Sequence, residues 1–195
     1  MLENIKDFIF VKNAVPTDIC NNIVADVMKR NEWERHLWQN YGVVNERPSY
    51  PPTELFVAES LPEQNALLYP YMGEALKEYE THVSSNHSFE GFKANCGLHM
   101  ACPVRFNRYD TNTLMKAHHD HIHSLFDGER KGIPTLSIVG HLNDDYEGGN
   151  FFFFKDYEIK LKKGDILIFP SLFMFPHRVE KVTKGVRHSF VSWAW

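Results

Sequence analysis

The sequence is poor in cysteine: Cys20, Cys96 and Cys102 are the only three in 195 residues, and they are widely scattered. This excludes a disulfide framework and fits reduced thiols in a cytoplasm, with a Cys96 to Cys102 bridge left open by proximity alone. Long apolar runs are missing too. The longest, 166–176, is too short to cross a bilayer and is interrupted by Pro170. The charged start, Met1-Leu2-Glu3-Asn4-Ile5-Lys6-Asp7, lacks the hydrophobic stretch and cleavage site of a secretory leader. A soluble, cytoplasmic protein with no membrane partner is expected. The net charge is −4 and no run of Lys or Arg occurs, so nucleic acid is not an expected partner, because phosphate contacts need clustered positive charge. Repeats and low-complexity tracts are absent as well.

What remains is ordinary globular composition, 43% apolar and 24% charged, in a chain long enough for one domain over 1–195 with a real core. Residues 5–12 read as a short strand. Pro16-Thr17-Asp18 then opens a helix to about residue 31, with Ile19, Ile23, Val24, Val27 and Met28 at helical spacing. From Trp33 to Pro52 neither period fits, so this aromatic stretch is expected to be a long loop, either a lid or a segment packed on the fold. Ser60-Leu61-Pro62-Glu63 resembles a capping box, and Leu67, Leu68, Tyr71, Met72, Ala75, Leu76 and Tyr79 mark one helix face, which Pro70 should kink or divide.

After about residue 84 the pattern turns to β. Strands are expected at 104–109, 134–142, 151–154, 157–161, 166–169, 178–182 and 187–195, with turns at Glu147-Gly148-Gly149-Asn150 and Lys162-Lys163-Gly164-Asp165. Residues 1–83 would thus be a helical support and lid region, and 84–195 a sandwich or barrel.

The chemistry sits in the β region. His118 and Asp120 are two residues apart, which on one strand puts both side chains on the same face. His177 from another strand would complete two imidazoles and a carboxylate, the donor set of a facial-triad iron(II) site with three coordination positions left open. Alone, a His-x-Asp pair arises often by chance, and His118-His119-Asp120-His121-Ile122-His123 also suits a histidine-rich surface loop. On the last strand Arg187, Ser189, Val191, Trp193 and Trp195 share a face, and His188 takes the other. A guanidinium inside a barrel needs a partner, either a ligand carboxylate with Ser189 adding a hydroxyl, or a structural Asp or Glu. Tyr109, on its own, reads as a core aromatic.

Taken together, Phe106-Asn107-Arg108-Tyr109, His118-x-Asp120, Leu142-Asn143-Asp144, Asp145-Tyr146-Glu147-Gly148-Gly149, Lys163-Gly164-Asp165, Pro170-Ser171, His177-Arg178-Val179 and Val182 through Arg187 resemble the iron(II)/2-oxoglutarate dioxygenases of the prolyl 4-hydroxylase-like type, including the PKHD-type hydroxylases. The likeness covers roughly residues 100–195. It implies an α+β, mainly β fold: a double-stranded β-helix (jelly-roll) core with N-terminal helices packed on the major sheet. It implies metal ligands His118, Asp120 and His177, with Arg187 on the distal carboxylate of 2-oxoglutarate, helped by Ser189 and Tyr109. The implied activity is hydroxylation of an unactivated C–H, on a peptide or protein side chain such as proline or on a small molecule. 2-Oxoglutarate would leave as succinate and carbon dioxide, O2 would be the oxidant, and ascorbate would serve as reductant. Asp120, in place of the small residue of halogenating relatives, favours hydroxylation.

Two departures accompany the likeness. His141 stands where many prolyl hydroxylases carry an aromatic residue, and the chain stops at Trp195, short of the C-terminal extension of PKHD-type proteins. Three rivals stay open at this point: a cupin-like metalloprotein using His119, His121 and His177, a non-catalytic jelly-roll binding module, and the same chemistry on alkylated nucleic acid. Phe151 to Phe154 and Trp193 are expected as apolar walls of the site or as core, and His121 as a loose candidate for substrate contact.

Overall fold

The computed structural model describes residues 5–37, 51–87, 101–120 and 134–194. A short 3-10 helix, Ile5–Phe8, leads into β1 (Phe10–Asn13), so the expected first strand begins later than its apolar residues suggest. Helix α1 (Thr17–Arg30) follows, then β2 (Glu34–Arg35), β3 (Phe56–Glu59) and α2 (Pro62–His87). The remaining strands are β4 (Arg105–Tyr109), β5 (Met115–His118), β6 (Leu136–His141), β7 (Glu147–Gly148), β8 (Phe151–Phe153), β9 (Tyr157–Ile159), β10 (Asp165–Pro170), β11 (His177–Val179), β12 (Val182–Lys184) and β13 (Arg187–Ala194).

Eleven of these strands build two facing antiparallel sheets. The larger runs β1-β10-β6-β13-β4-β3-β2, with β2 at the start of the stretch expected to be a long loop and β3 in a segment given no expected element. The smaller runs β5-β11-β8-β9, and β12 pairs β7 separately. The centre of the larger sheet is buried on both faces, which is why β6 and β10 are almost wholly buried.

Toward the helices, Phe106, Ile138, Ile166, Ile168 and Phe190 pack on Cys20, Ile23 and Val27 of α1 and on Leu68, Met72, Ala75, Tyr79 and Val83 of α2. Toward the smaller sheet, Tyr109, Val139, Leu167 and Phe169 pack on Met115, Phe151, Phe153 and Val179. The fold is α+β and mainly β, as expected.

Three local expectations fail. Pro70 does not divide the second helix, which runs unbroken to His87. A proline removes one backbone donor, and the continuous stripe packed on the sheet outweighs that loss. The strand expected over 178–182 is two strands, β11 and β12, whose partners lie in different sheets. The capping role falls to Gln64, whose Oε1 accepts from the Leu61 N–H at 2.9 Å, while the Ser60 hydroxyl donates to Asn65. Most of the aromatic loop, including Trp38, Tyr41 and Tyr50, lies outside the described residues, as do Cys96, His121, His123 and Trp195. Among the described residues no helix is long and apolar enough to cross a membrane.

Candidate active site

The smaller sheet brings the first two candidates together. β5 runs antiparallel to β11, and His118 falls directly opposite His177 in the ladder. Their rings lie 4.3 Å apart, centroid to centroid. Asp120 is just past the end of β5, so strand alternation is not what aims it. Instead two residues of the larger sheet hold its carboxylate: the Ser137 hydroxyl donates to Oδ2 at 2.5 Å and the Trp193 indole donates to the same oxygen at 3.2 Å. Oδ1 is left 3.7 Å from His118 Nε2 and 3.9 Å from His177 Nε2.

These three groups have one ligand atom each within 4.8 Å of one another. Both imidazoles are oriented through the nitrogen that faces away from the cluster. His118 Nδ1 lies 2.8 Å from the Lys116 carbonyl and His177 Nδ1 3.0 Å from that of Phe175. A carbonyl can only accept, so each Nδ1 carries the proton and each Nε2 presents its lone pair to the cluster. Burial and the neighbouring His177 pull the His118 pKa down to about 4, which keeps this ring neutral and able to ligate near pH 7. Burial alone would raise Asp120, but the two imidazoles and the hydrogen bonds from Ser137 and Trp193 hold it below its ordinary value. Two imidazoles with an ionised carboxylate fit a divalent transition metal.

The wall behind His177 is aromatic. Phe151 stacks on it at 5.5 Å and 9°, and Phe169 meets it edge-on at 4.9 Å. Phe153, fully buried, fills the corner between Phe169 and His177. Trp193 is more than a wall, since its indole binds the carboxylate.

A cleft open to solvent adjoins the cluster and reaches Arg187 and Ser189 on β13 and Tyr109 on β4. Arg187 is 1% exposed, and no Asp or Glu pairs with it among the described residues. Its Nη1 donates to Ser189 Oγ at 3.1 Å, its guanidinium lies 4.9 Å from the centre of the Tyr109 ring, and its Nε is buried without a hydrogen-bond partner. Burial pushes the Tyr109 phenol up, against the pull of Arg187, so it stays protonated and can donate. A buried cation with an unmatched donor is costly without an anion to meet it, so this end of the cleft fits a carboxylate.

All six sequence candidates therefore line one cleft. Sequence reasoning missed Ser137, Arg105 and Asn107, and also Tyr146, whose hydroxyl lies 3.1 Å from His141 Nε2 near Arg187. Strand alternation from Tyr109 would have found Asn107 and Arg105. His119 is exposed and outside the cluster, and His188 packs against Trp33 on the opposite face; His121, a member of the cupin-like set with His119 and His177, lies outside the described residues.

Comparison with known proteins agrees with this geometry. Residues 104–195 match the 2OG-Fe(II) oxygenase superfamily. A PKHD-type hydroxylase of Aliarcobacter butzleri is 35% identical over 146 residues, 71% of this chain and 58% of that protein. Another from Xylella fastidiosa is 33% identical over 108 residues, 47% of this chain and 43% of the relative. The chain thus spans about half the length of the curated relatives it matches. Among solved structures, a Pseudomonas putida prolyl-4-hydroxylase superposes with TM-score 0.61 at 17% identity, covering 96% of this chain and 91% of that one. A Trichoplax adhaerens prolyl hydroxylase in complex with a hypoxia-inducible-factor peptide fragment gives 0.64 at 12%, covering 97% and 84%. These structural likenesses show a shared jelly-roll fold.

Proposed function

We propose, from the match of residues 104–195 to the 2OG-Fe(II) oxygenase superfamily and the likeness to PKHD-type hydroxylases, that the chain is an iron(II)- and 2-oxoglutarate-dependent hydroxylase of the prolyl hydroxylase-like type acting through the cleft between its two sheets. One observation carries this reading: two imidazoles and a carboxylate converge beside a buried arginine that no Asp or Glu neutralises among the described residues.

In this reading His118, Asp120 and His177 hold the iron. The chemistry supplied when iron, 2-oxoglutarate and O2 are bound is an oxidation that converts 2-oxoglutarate to succinate and carbon dioxide and places one oxygen atom in a substrate C–H bond. The chain's own residues position and shield. Lys116 and Phe175 carbonyls fix the imidazoles, and Ser137 and Trp193 leave Asp120 one oxygen for the metal. Arg187 clamps the distal carboxylate of 2-oxoglutarate, with the hydroxyls of Ser189 and Tyr109 beside it. Phe151, Phe153 and Phe169 keep water from the back of the site. Ascorbate, as an external reductant, belongs to the same proposal.

The proposed substrate is a peptide or protein side chain such as proline, supported by the peptide complex of the Trichoplax neighbour and the prolyl hydroxylase neighbours. The test is iron-dependent production of succinate from 2-oxoglutarate by wild type and Asp120→Ala. Loss of both iron retention and turnover in the variant is expected. Retention of both would remove Asp120 from the ligand set.

A further inference from the structure

A second arginine lines the same cleft. Alternation along β4 turns Arg105, Asn107 and Tyr109 to one face, and all three border the cavity. Tyr109 lies opposite Arg187 in the β4–β13 ladder and Arg105 opposite Val191, so the two arginines spring from different positions along the cleft floor. Four residues of strand separate those positions, roughly 13 Å.

Asp120 and Glu59 attract Arg105 from a distance, but no ion pair or hydrogen bond to a carboxylate is made by it among the described residues. Its guanidinium lies 5.5 Å from the Trp193 ring, whose indole holds Asp120. Its Nε is buried and has no hydrogen-bond partner. Glu59 is its cross-strand neighbour but is exposed, and no ion pair or hydrogen bond joins the two among the described residues. Burial lowers the Arg105 pKa, yet an arginine stays charged at neutral pH. An unmatched buried donor on a cation is costly unless a ligand supplies the acceptor.

Charge balance gives the ligand its sign. In the loaded site the dication and Arg187 would be matched by Asp120 and the doubly charged 2-oxoglutarate; Glu59 attracts Arg105 from the exposed end of β3, but the buried Arg105 Nε still lacks an acceptor.

We propose that Arg105 is a specificity-determining residue that takes a carboxylate of the substrate to be hydroxylated, so that the substrate class is carboxylate-bearing: a free acid or the C-terminus of a peptide. The acid group seats on the Arg105 fork beside Trp193, and the C–H to be oxidised lies on the metal side of it. This rests on the 2-oxoglutarate reading above and goes beyond it, since a free acid would replace the peptide side chain as substrate.

The test uses the whole chain loaded with Mn(II) and 2-oxoglutarate, which holds the site without turnover. It is titrated with free amino acids, with N-acetyl amino acids bearing a free carboxylate, and with the matching carboxamides, by calorimetry and thermal shift. At least one acid is expected to bind, with its amide weaker by about 10- to 100-fold. Arg105→Met should erase that preference and Arg105→Lys restore part of it, while Mn(II) and 2-oxoglutarate affinities stay unchanged in both. Binding of a free amino acid points to a metabolite, and binding of the N-acetyl form alone to a peptide terminus. The proposal is overturned if no acid binds, if amides bind as well as acids, if the preference survives in Arg105→Met, or if that variant instead loses 2-oxoglutarate. Failure of the wild type to bind 2-oxoglutarate, visible before any acid is added, overturns the underlying reading instead.

Discussion

His118 and His177 face each other across a two-strand ladder, with Asp120 3.7 and 3.9 Å from their Nε2 atoms. The ladder makes their spacing a property of backbone pairing, while Asp120 depends on hydrogen bonds from the opposite sheet. The two kinds of support fail differently.

Removing the support of Asp120 should loosen the metal without unfolding the protein. Ser137→Ala and Trp193→Phe each delete one donor to Oδ2. Each is expected to weaken metal affinity by about 10- to 100-fold. Competition with a chelator reads this, and unchanged affinity in both would show that Asp120 is not oriented by these contacts.

Arg187→Met separates co-substrate binding from folding. The wild-type side chain is a buried cation with an unmatched Nε. Replacing it with an apolar chain should raise apo stability by about 1–4 kcal/mol, as for other buried charges. Addition of 2-oxoglutarate at 100 times its dissociation constant stabilises a competent site by about 2.7 kcal/mol. That increment should appear in metal-loaded wild type and vanish in Arg187→Met, as measured by urea unfolding.

Gly149→Ala tests the cradle around the same arginine. Gly149 has φ +63°, and a Cβ there would lie 3.1 Å from Arg187 Cδ and 3.2 Å from Tyr146 Cε2. The left-handed conformation adds about 1–2 kcal/mol of strain for alanine. Weaker 2-oxoglutarate binding with unaltered metal affinity is expected. A parallel loss of both would indicate a general collapse of the site.

Buried histidines set the acid limit. Burial, with Arg187 near one ring and Arg108 near the other, pulls His141 to about 3 and His188 to about 4 from an ordinary 6.5. Folded, both rings resist protonation that the unfolded chain accepts. Stability from this source is therefore complete above pH 6.5 and falls as pH drops toward 4, by at most ~1.4 kcal/mol per ring per pH unit. Urea midpoints at pH 7.5, 6.5 and 5 read the slope, which His188→Gln should reduce. A slope of opposite sign would refute the assignment.

Much of the site was legible because its residues obey short periods. Arg187 and Ser189 share a face of β13 by alternation, and Tyr109 falls opposite Arg187 in the adjacent strand. What stayed hidden depends on contacts between segments distant in sequence. Ser137 binds Asp120 across 17 residues and Trp193 across 73, and neither residue type signals that role. Strand β3 was missed because it is short and lies beside an aromatic stretch, and it exists as a strand through its pairing with β4. Pro70 shows the converse: a strong local signal overruled by the apolar stripe from Leu68 to Val83 packed on the sheet.

The most direct measurement is anaerobic titration of the whole chain with iron(II) and 2-oxoglutarate, followed by visible absorption. The account predicts a weak charge-transfer band that needs both components, is lost in Asp120→Ala and requires far more 2-oxoglutarate in Arg187→Met. No band at saturating co-substrate, or one indifferent to both substitutions, would contradict it.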